Sequence, residues 1–111
     1  MKDLNRIELK GRVGSTEAIH SVGEGQVVRF TLATSRSFRD ANGEWQAETT
    51  WHRVELWSGF GRADASRIFK GQKLYVCGRI KVESYRDQQG IDRTSVVVLA
   101  DECDIITEPE Q

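Results

Sequence analysis

The sequence predicts an all-β protein, a small barrel of five strands with one short helix between the third and fourth strands. Five segments alternate apolar and polar residues at the two-residue period of a strand, turn-forming residues separate most of them, and only one short stretch has helical spacing. The 111 residues suffice for one domain with a modest core. We expect this domain to cover residues 1–107, and residues 108–111 to be a short acidic end.

The first two predicted strands each have one apolar face, which is typical of strands with a core on one side and water on the other. Charged residues separate the apolar positions of the first strand, at 4–14, which are Ile7, Leu9, Gly11 and Val13. A turn at Gly23-Glu24-Gly25 leads into the second strand, at 26–35, whose inward residues are Val28, Phe30 and Leu32.

The third predicted strand, at about 49–57, has two unlike faces. His52, Val54 and Leu56 share the face expected to meet the core, whereas the other face carries Trp51, Arg53, Glu55 and Trp57. A polar loop at 36–48 precedes this strand and contains Asn42-Gly43, a hairpin turn signal. Two tryptophans with an arginine and a glutamate between them are an unusual surface for a strand that only faces water.

The helix is predicted at Arg62 to Phe69, where Ala65, Ile68 and Phe69 have helical spacing and Lys70-Gly71 ends the element. The fourth strand, at 73–85, has an inward face made of Leu74, Val76, Gly78, Ile80 and Val82. After a turn at Asp87-Gln88-Gln89-Gly90 comes a fifth strand at 94–106, rich in β-branched residues. Three strands, a helix and two strands follow one another in the order of the five-stranded OB barrel.

The composition sets limits on location and partners. No apolar run approaches the roughly 20 residues of a membrane span, and the N-terminus has no signal core, so we expect a cytoplasmic protein. Residues 101–111 hold five of the 17 acidic residues and none of the 16 basic ones, which leaves 16 against 12, or +4, for residues 1–100. This mildly basic body is compatible with a polyanionic partner despite the net charge of −1.

No catalytic motif is recognisable, so we expect a protein that is not an enzyme and uses no cofactor and no metal. The glycines form neither a dinucleotide-binding motif nor a P-loop, and no nucleophile motif is present. Cys77 and Cys103 are too few for a CxxC zinc site, and we interpret them as small buried or half-buried thiols. The parity of His52 favours packing or a subunit contact over catalysis.

Aromatic and basic residues occur together in the loop at 36–48 and along the third and fourth strands. The aromatics are Phe38, Trp45, Trp51, Trp57, Tyr75 and Tyr85, and the cations are Arg36, Arg39, Arg53, Arg79, Lys81, Arg86 and Arg93. Rings that stack bases and cations that neutralise phosphates together bind single-stranded nucleic acid without sequence preference. The alternative is that some of these aromatics belong to the core or to a subunit interface, and we expect this structural role first of all for Trp45 and Tyr75.

An ordered set of short segments resembles the bacterial and mitochondrial single-stranded-DNA-binding proteins, an OB-fold family of homotetramers. The segments are Asn5-Arg6, Gly11-Arg12-Val13-Gly14, Phe30-Thr31-Leu32-Ala33-Thr34-Ser35, Trp51-His52-Arg53-Val54, Lys70-Gly71, Val76-Cys77-Gly78-Arg79, Asp87-Gln88-Gln89-Gly90 and Asp92-Arg93. Each segment alone is a weak signal, but together they span nearly the whole chain in the family's order.

The resemblance implies sequence-independent binding of single-stranded DNA in replication, recombination or repair, by a tetramer or a dimer of this chain. It implies base stacking on four aromatics, Phe38, Trp51, Trp57 and Tyr85, and a subunit contact at His52. We expect the phosphates to be contacted by Arg39, Arg53, Arg79, Lys81, Arg86 and Arg93.

Three features depart from the family's pattern. Glu83-Ser84 stands where the family is often basic, and Ser15-Thr16-Glu17 replaces a usual Asp-Pro-Glu. The family's long linker and acidic tail with an apolar tip are missing, so we do not expect the usual tail-mediated replication and repair partners. The low net charge and the missing tail leave an alternative function, an OB-fold interaction subunit of a primosome or of a mixed oligomer that binds DNA weakly.

Overall fold

The computed structural model describes residues 1–17, 20–22, 25–58 and 68–107, and these residues form six β-strands. The strands are β1 (Ile7–Thr16), β2 (His20–Val22), β3 (Gly25–Arg39), β4 (Trp45–Ser58), β5 (Lys73–Arg86) and β6 (Asp92–Ile105). The sequence predicted five of them. The sixth, β2, has three residues and pairs only with β3, which makes it too short for an alternation signal.

Five strands close into a barrel in the order β1-β5-β6-β4-β3, and β3 pairs back with β1. The neighbours are antiparallel except for β4 and β6, which are parallel from Arg53↔Val97 to Leu56↔Ala100. This is the strand order of the OB fold, so the predicted five-stranded barrel is confirmed.

The core fills the barrel with the side chains that alternation predicted. Its buried members are Val13, Val28, Phe30, Leu32, Val54, Leu56, Leu74, Val76, Val98, Ala100 and Cys103, and Ile7, Leu9, Ile68 and Ile105 pack against them. Each large aliphatic side chain buried in this way stabilises the fold by about 1.5–3 kcal/mol relative to exposure. The predicted inward faces of the first three strands are therefore confirmed, and the barrel is a firm support for side chains on its outside.

A hairpin arm replaces most of the loop predicted at 36–48. Strands β3 and β4 stay in register from Gln26↔Ser58 to Arg39↔Trp45, and the turn at residues 40–44 contains the predicted Asn42-Gly43. Beyond Ala33, β3 pairs with β4 alone, so both faces of this arm meet solvent. The loop prediction was wrong because a strand with two exposed faces needs no apolar residues and gives no alternation.

A second arm makes the predicted inward face of the fourth strand wrong beyond Gly78. Ile80 is 43% exposed and Val82 is 60% exposed. Strand β1 pairs with β5 no further than Gly78, and an extra residue, Asp101, interrupts the β5–β6 pairing beside it. Residues 79–81 of β5 therefore have β6 as their only partner strand, while Val97–Ala100 of β6 still pair with β4. From Val82 and Val96 to the turn, β5 and β6 pair only with each other and form a two-stranded arm whose inner face has no barrel wall over it.

The predicted helix at Arg62 to Phe69 lies outside the described residues except for its last two. Ile68 packs against the core and Phe69 is exposed, and neither is in a helix. Lys70 and Gly71 form a turn before β5, and residues 108–111 also lie outside the described part. Among the described residues there is no helix long and apolar enough to cross a membrane.

Candidate nucleic-acid interface

The outside of the barrel collects side chains from four strands into cross-strand rows. Strand pairing defines three rows, which are Ala33–Trp51, Thr31–Arg53–Val97–Lys81 and Arg29–Glu55–Leu99–Arg79. Alternation continues the same face along β5 through Glu83 to Tyr85. We call these residues the outer sheet face. Arg93 of β6 is directly paired with Tyr85 and belongs to the same face. The fold thus brings together six of the residues predicted to contact DNA, namely Trp51, Arg53, Arg79, Lys81, Tyr85 and Arg93.

Trp51 is the largest exposed side chain on this face, with 60% of its surface in water. Its six-membered ring lies against Gly14 of β1, where a side chain of any size would overlap both the ring and the Thr31 hydroxyl. Thr31 is itself tied to β1, because its Oγ1 accepts a 3.0 Å hydrogen bond from Ser15 N. A ring supported on one side and open to solvent on the other is a preorganised surface for stacking a base.

Arg53 lies beside Trp51 and is held by a neutral partner. Its Nη1 donates to Ser95 Oγ across the β4–β6 junction, at 3.0 Å. The nearby Glu55 pairs instead with Arg29, from Oε1 to Nε at 2.9 Å, and the Glu55 side chain is only 13% exposed. Because Arg29 neutralises Glu55, the full charge of Arg53 remains available on the outer sheet face.

The predicted phosphate-contacting cations fall into two groups. Lys81, Arg86 and Arg93 form ion pairs, with Glu83 at 3.8 Å, Asp92 at 3.2 Å and Asp87 at 2.8 Å. Arg39, Arg53 and Arg79 form no ion pair with any carboxylate of the described residues. Exposed ion pairs contribute little, about 0–1 kcal/mol, so a phosphate can replace the carboxylate at low cost.

The two hairpin arms end in turns of the same construction. Asp40 Oδ1 accepts hydrogen bonds from Asn42 N at 2.9 Å and Glu44 N at 3.0 Å, and Oδ2 accepts one from Gln46 Nε2 at 3.1 Å. Asp87 repeats this set with Gln89 N, Ile91 N and Arg93 Nε, at 2.9, 3.0 and 2.8 Å. These hydrogen bonds hold the pKa of both carboxyl groups below the usual range, with Glu44 N contributing most at Asp40 and Arg93 at Asp87.

Two six-residue segments of the sequence carry the signature of both turns. Phe38-Arg39-Asp40-Ala41-Asn42-Gly43 and Tyr85-Arg86-Asp87-Gln88-Gln89-Gly90 share an aromatic, an arginine, an aspartate and a glycine at equal spacing. Both glycines have φ of 78°, which L side chains rarely adopt. Each arm thus carries an aromatic and an arginine at a fixed distance from a rigid tip.

Three of the remaining predicted residues differ from this group in burial or in register. Trp57 has the parity of Trp51 but is half-buried, paired with the fully buried Val27. Phe38 pairs with Gln46 on the opposite register face of its arm, and the Arg36 guanidinium lies 5.1 Å from the centre of its ring. Arg86 likewise has the opposite register to Tyr85, so neither Phe38 nor Arg86 belongs to the outer sheet face.

Trp45 and Tyr75 were both expected to be structural, and they differ. Tyr75 is half-buried and donates a hydrogen bond to Glu8 Oε1 at 3.2 Å, which agrees with a structural role. Trp45 is 65% exposed and is therefore not a core residue, which leaves a subunit interface as the structural role expected for it. Counting back from Trp51 at the two-residue period would have placed it on the same register face.

His52 and the two cysteines occupy protected positions. His52 Nε2 and Thr34 Oγ1 form a 2.9 Å hydrogen bond, and burial lowers the pKa of the imidazole from 6.5. Both thiols are buried, as predicted, and burial raises the pKa of Cys103 to about 11. Within the described ranges, no group of three or more His, Cys, Asp or Glu side chains is arranged to hold a metal ion.

Comparison with known sequences gives a consistent family. The model of the Single-strand binding protein family matches residues 4–106. Single-stranded DNA-binding protein 1 of Chlorobaculum tepidum is 34% identical over 93 residues, which cover 83% of this chain and 57% of that protein. The mitochondrial single-stranded DNA-binding protein of Drosophila melanogaster is 34% identical over 102 residues, covering 91% of this chain and 70% of that protein. The chain thus spans little more than half the length of the first of these curated relatives.

Solved structures share the fold. The Plasmodium falciparum SSB, in complex with single-stranded DNA, superposes with a TM-score of 0.79 at 28% identity and covers 96% of both chains. A small single-stranded DNA-binding protein from Streptomyces coelicolor superposes with a TM-score of 0.72 at 24% identity, covering 96% of this chain and 97% of that one. At the lower identity the likeness shows the fold alone.

Proposed function

This chain belongs to the single-strand binding protein family, and we propose that it binds single-stranded DNA without sequence preference and catalyses no reaction. The observation that carries the proposal is the outer sheet face. There the exposed Trp51 lies one cross-strand row from Arg53, and Arg79 lies in the row beyond Arg53. An aromatic platform beside cations that have no carboxylate partner in the described part of the chain suits a strand whose bases are unpaired and whose phosphates are charged.

Base stacking supplies the first part of the binding free energy. Trp51 on β4 and Tyr85 on β5 share the outer sheet face, and both are largely exposed, by 60% and 49%. Stacking on such rings contributes about 1–3 kcal/mol per base and accepts any base. We propose two further stacking residues: Phe38 of β3, on the other register face of the β3–β4 arm, and Trp57, near the end of β4.

Phosphate contacts supply the second part. Arg39, Arg53 and Arg79 are the first cations that a strand would meet, because no carboxylate of the described residues competes for them. Lys81, Arg86 and Arg93 follow by exchanging an ion pair for a phosphate. Glu55 and Glu83 on the same face limit the total positive charge, so we expect moderate affinity that falls steeply with salt.

We further propose that the chain acts as a homo-oligomer, a tetramer or a dimer, in DNA replication, recombination or repair at the nucleoid. Two features support subunit contacts away from the outer sheet face. His52 lies half-buried on the inner register face of β4, and Ile80, Val82 and Val96 expose apolar surface on the inner side of the β5–β6 arm. A measurement of solution mass tests the oligomer, and a monomer at high concentration would contradict it.

Tryptophan fluorescence during titration with oligo-dT tests the binding proposal. Stacking on Trp51 predicts strong quenching at low salt that is reversed by added salt, whereas a duplex of equal length should quench little. Trp51→Phe should retain binding with a smaller fluorescence change, and Trp51→Ala should weaken binding. An unchanged signal with oligo-dT at low salt would contradict the proposed function.

The exposed apolar strip of Ile80, Val82 and Val96 favours one second candidate, an interaction subunit of a larger assembly with weak DNA binding. In that case the wild-type protein would capture a protein partner tightly and bind oligo-dT only at micromolar or higher concentrations. Val82→Glu separates the two functions, because it should abolish partner capture and leave the outer sheet face intact.

A further inference from the structure

We propose that Trp45 and Arg39, at the tip of the β3–β4 arm, form an outer stacking site for the same DNA strand that crosses Trp51. This inference rests on the proposed function and lengthens its DNA path. The two residues are directly paired across the arm, and the Arg39 guanidinium lies 5.0 Å from the centre of the Trp45 ring. The pair thus provides both a ring on which a base can stack and a cation that can contact a phosphate.

Exposure and charge set this pair apart from the rest of the arm. Trp45 is 65% exposed although it is the largest type of side chain, and Arg39 forms no ion pair with any described carboxylate. Arg36, the other arginine of the arm, is by contrast paired with Glu48 at 3.4 Å. Beyond its contact with Arg39, the exposed indole buries little surface in the folded monomer. A guanidinium that has no carboxylate partner among the described residues favours an anionic occupant over an apolar one.

The register gives this site a continuous connection to Trp51. Trp45 and Trp51 have the same parity on β4, which stays in register with β3 throughout, and they lie six residues apart, or about 20 Å at ~3.4 Å per residue. The side chains between them on that face are small: Ser35 and Thr49, whose hydroxyl oxygens lie 3.0 Å apart, and Ser37 and Ala47. Small hydroxylated residues leave room for a strand and offer hydrogen bonds to its phosphates.

The turn fixes the site in place. Asp40 is bonded to Asn42 N, to Glu44 N and to the side chain of Gln46, the residue after Trp45. The backbone closes the same turn, with Asp40 N donating to Glu44 O at 2.9 Å and Gly43 N donating to Asp40 O at 3.0 Å. The Trp45 ring is thus presented from a defined position, which lowers the entropy that binding must overcome.

The test compares affinities for a short oligo-dT and for one long enough to span the 20 Å between the tryptophans. Trp45→Ala should weaken binding of the long oligonucleotide about 5- to 150-fold and leave the short one unchanged. Trp45→Phe should restore most of the loss, and Arg39→Gln should lower the salt dependence for the long oligonucleotide only. Trp51→Ala, the positive control, should weaken binding at both lengths.

Each other outcome overturns the inference, and the controls show whether the proposed function falls with it. If Trp51→Ala weakens binding and Trp45→Ala does not, or if Trp45→Ala acts equally at both lengths, there is no outer site but the proposed function stands. If Trp45→Ala changes the solution mass and not the affinity, the arm tip is a subunit contact. If the wild-type protein binds neither oligonucleotide, the proposed function itself fails.

Discussion

Trp51 depends on a residue that has no side chain. Gly14 provides the space in which the indole lies against β1, while Thr31 and Ser15 hold the strands on either side of it together. The sequence shows both residues but not their contact, because they lie 37 positions apart and meet only through the β1–β3–β4 pairing. The stacking platform is therefore a product of strand register, which local patterns do not specify.

Substituting Gly14 tests this arrangement. Gly14→Ala places a methyl group into the Trp51 ring, and overpacking of this kind costs about 1–3 kcal/mol in the free energy of unfolding. Urea denaturation measures that cost, and an oligo-dT titration should show weaker binding because the ring is displaced. In a Trp51→Ala background the same substitution should cost less, because only the overlap with the Thr31 hydroxyl remains. An equal cost in both backgrounds would show that the ring is not the group the methyl group displaces.

His52 makes stability depend on pH near neutrality. Burial lowers its pKa below 6.5, so the unfolded chain takes up a proton at a higher pH than the folded chain does. His52 therefore leaves the free energy of unfolding unchanged above about pH 6.5. As the pH falls from there towards the lower pKa of the folded state, protonation of the unfolded chain decreases the free energy of unfolding. His52→Gln should flatten urea-denaturation stability in this range, and an unchanged slope would assign the dependence to other groups.

At the scale of elements, the barrel was predictable and the arms were not. A half-buried strand can be predicted from the alternating apolar residues Val28, Phe30 and Leu32, because one face of this strand meets the core. The arm residues at 35–39 and 45–50 face solvent on both sides, so nothing in their polarity distinguishes a strand from a loop. The apolar alternation of Ile80 and Val82 gave the opposite error. It predicted burial for both side chains, but the pattern continues past the point where the barrel covers this face.

The turn aspartates are expected to order the arm tips without supporting the barrel. Asp87→Ala removes the acceptor of Gln89 N, Ile91 N and Arg93 Nε, so the amides of Gln89 and Ile91 should exchange faster with solvent. Hydrogen exchange measured by NMR should show amides of Val54 and Leu56 unchanged. Asp92→Ala is the matched control, because Asp92 forms only an exposed ion pair with Arg86. Equal protection in Asp87→Ala and the wild type would contradict this role.

Under the proposed function, the whole molecule attracts a polyanion although its net charge is −1. The placement of the charges makes this attraction possible. On the outer sheet face, Arg29 forms an ion pair with Glu55 and Lys81 forms one with Glu83. Arg53 and Arg79 have no partner among the described carboxylates. Binding should therefore be governed by a few cations, and its dependence on salt should report how many of them contact phosphate.

Arginine variants allow the number of phosphate contacts to be counted. For single strands each phosphate contact contributes about 0.7 to the slope of log affinity against log salt. Arg53→Gln should reduce the slope by about that amount, whereas Arg86→Gln, which lies on the opposite register face and is paired with Asp92, should reduce it less. The reverse order of effects would place the DNA path on the other side of the arms.

The central claim is that a single DNA strand lies across the outer sheet face. Photocrosslinking with a halogenated oligo-dT, followed by mass spectrometry of the linked peptides, locates the strand directly. We predict crosslinks at Trp51 and Tyr85 that disappear at high salt. Crosslinks confined to the inner side of the β5–β6 arm, around Ile80 and Val82, would contradict the claim.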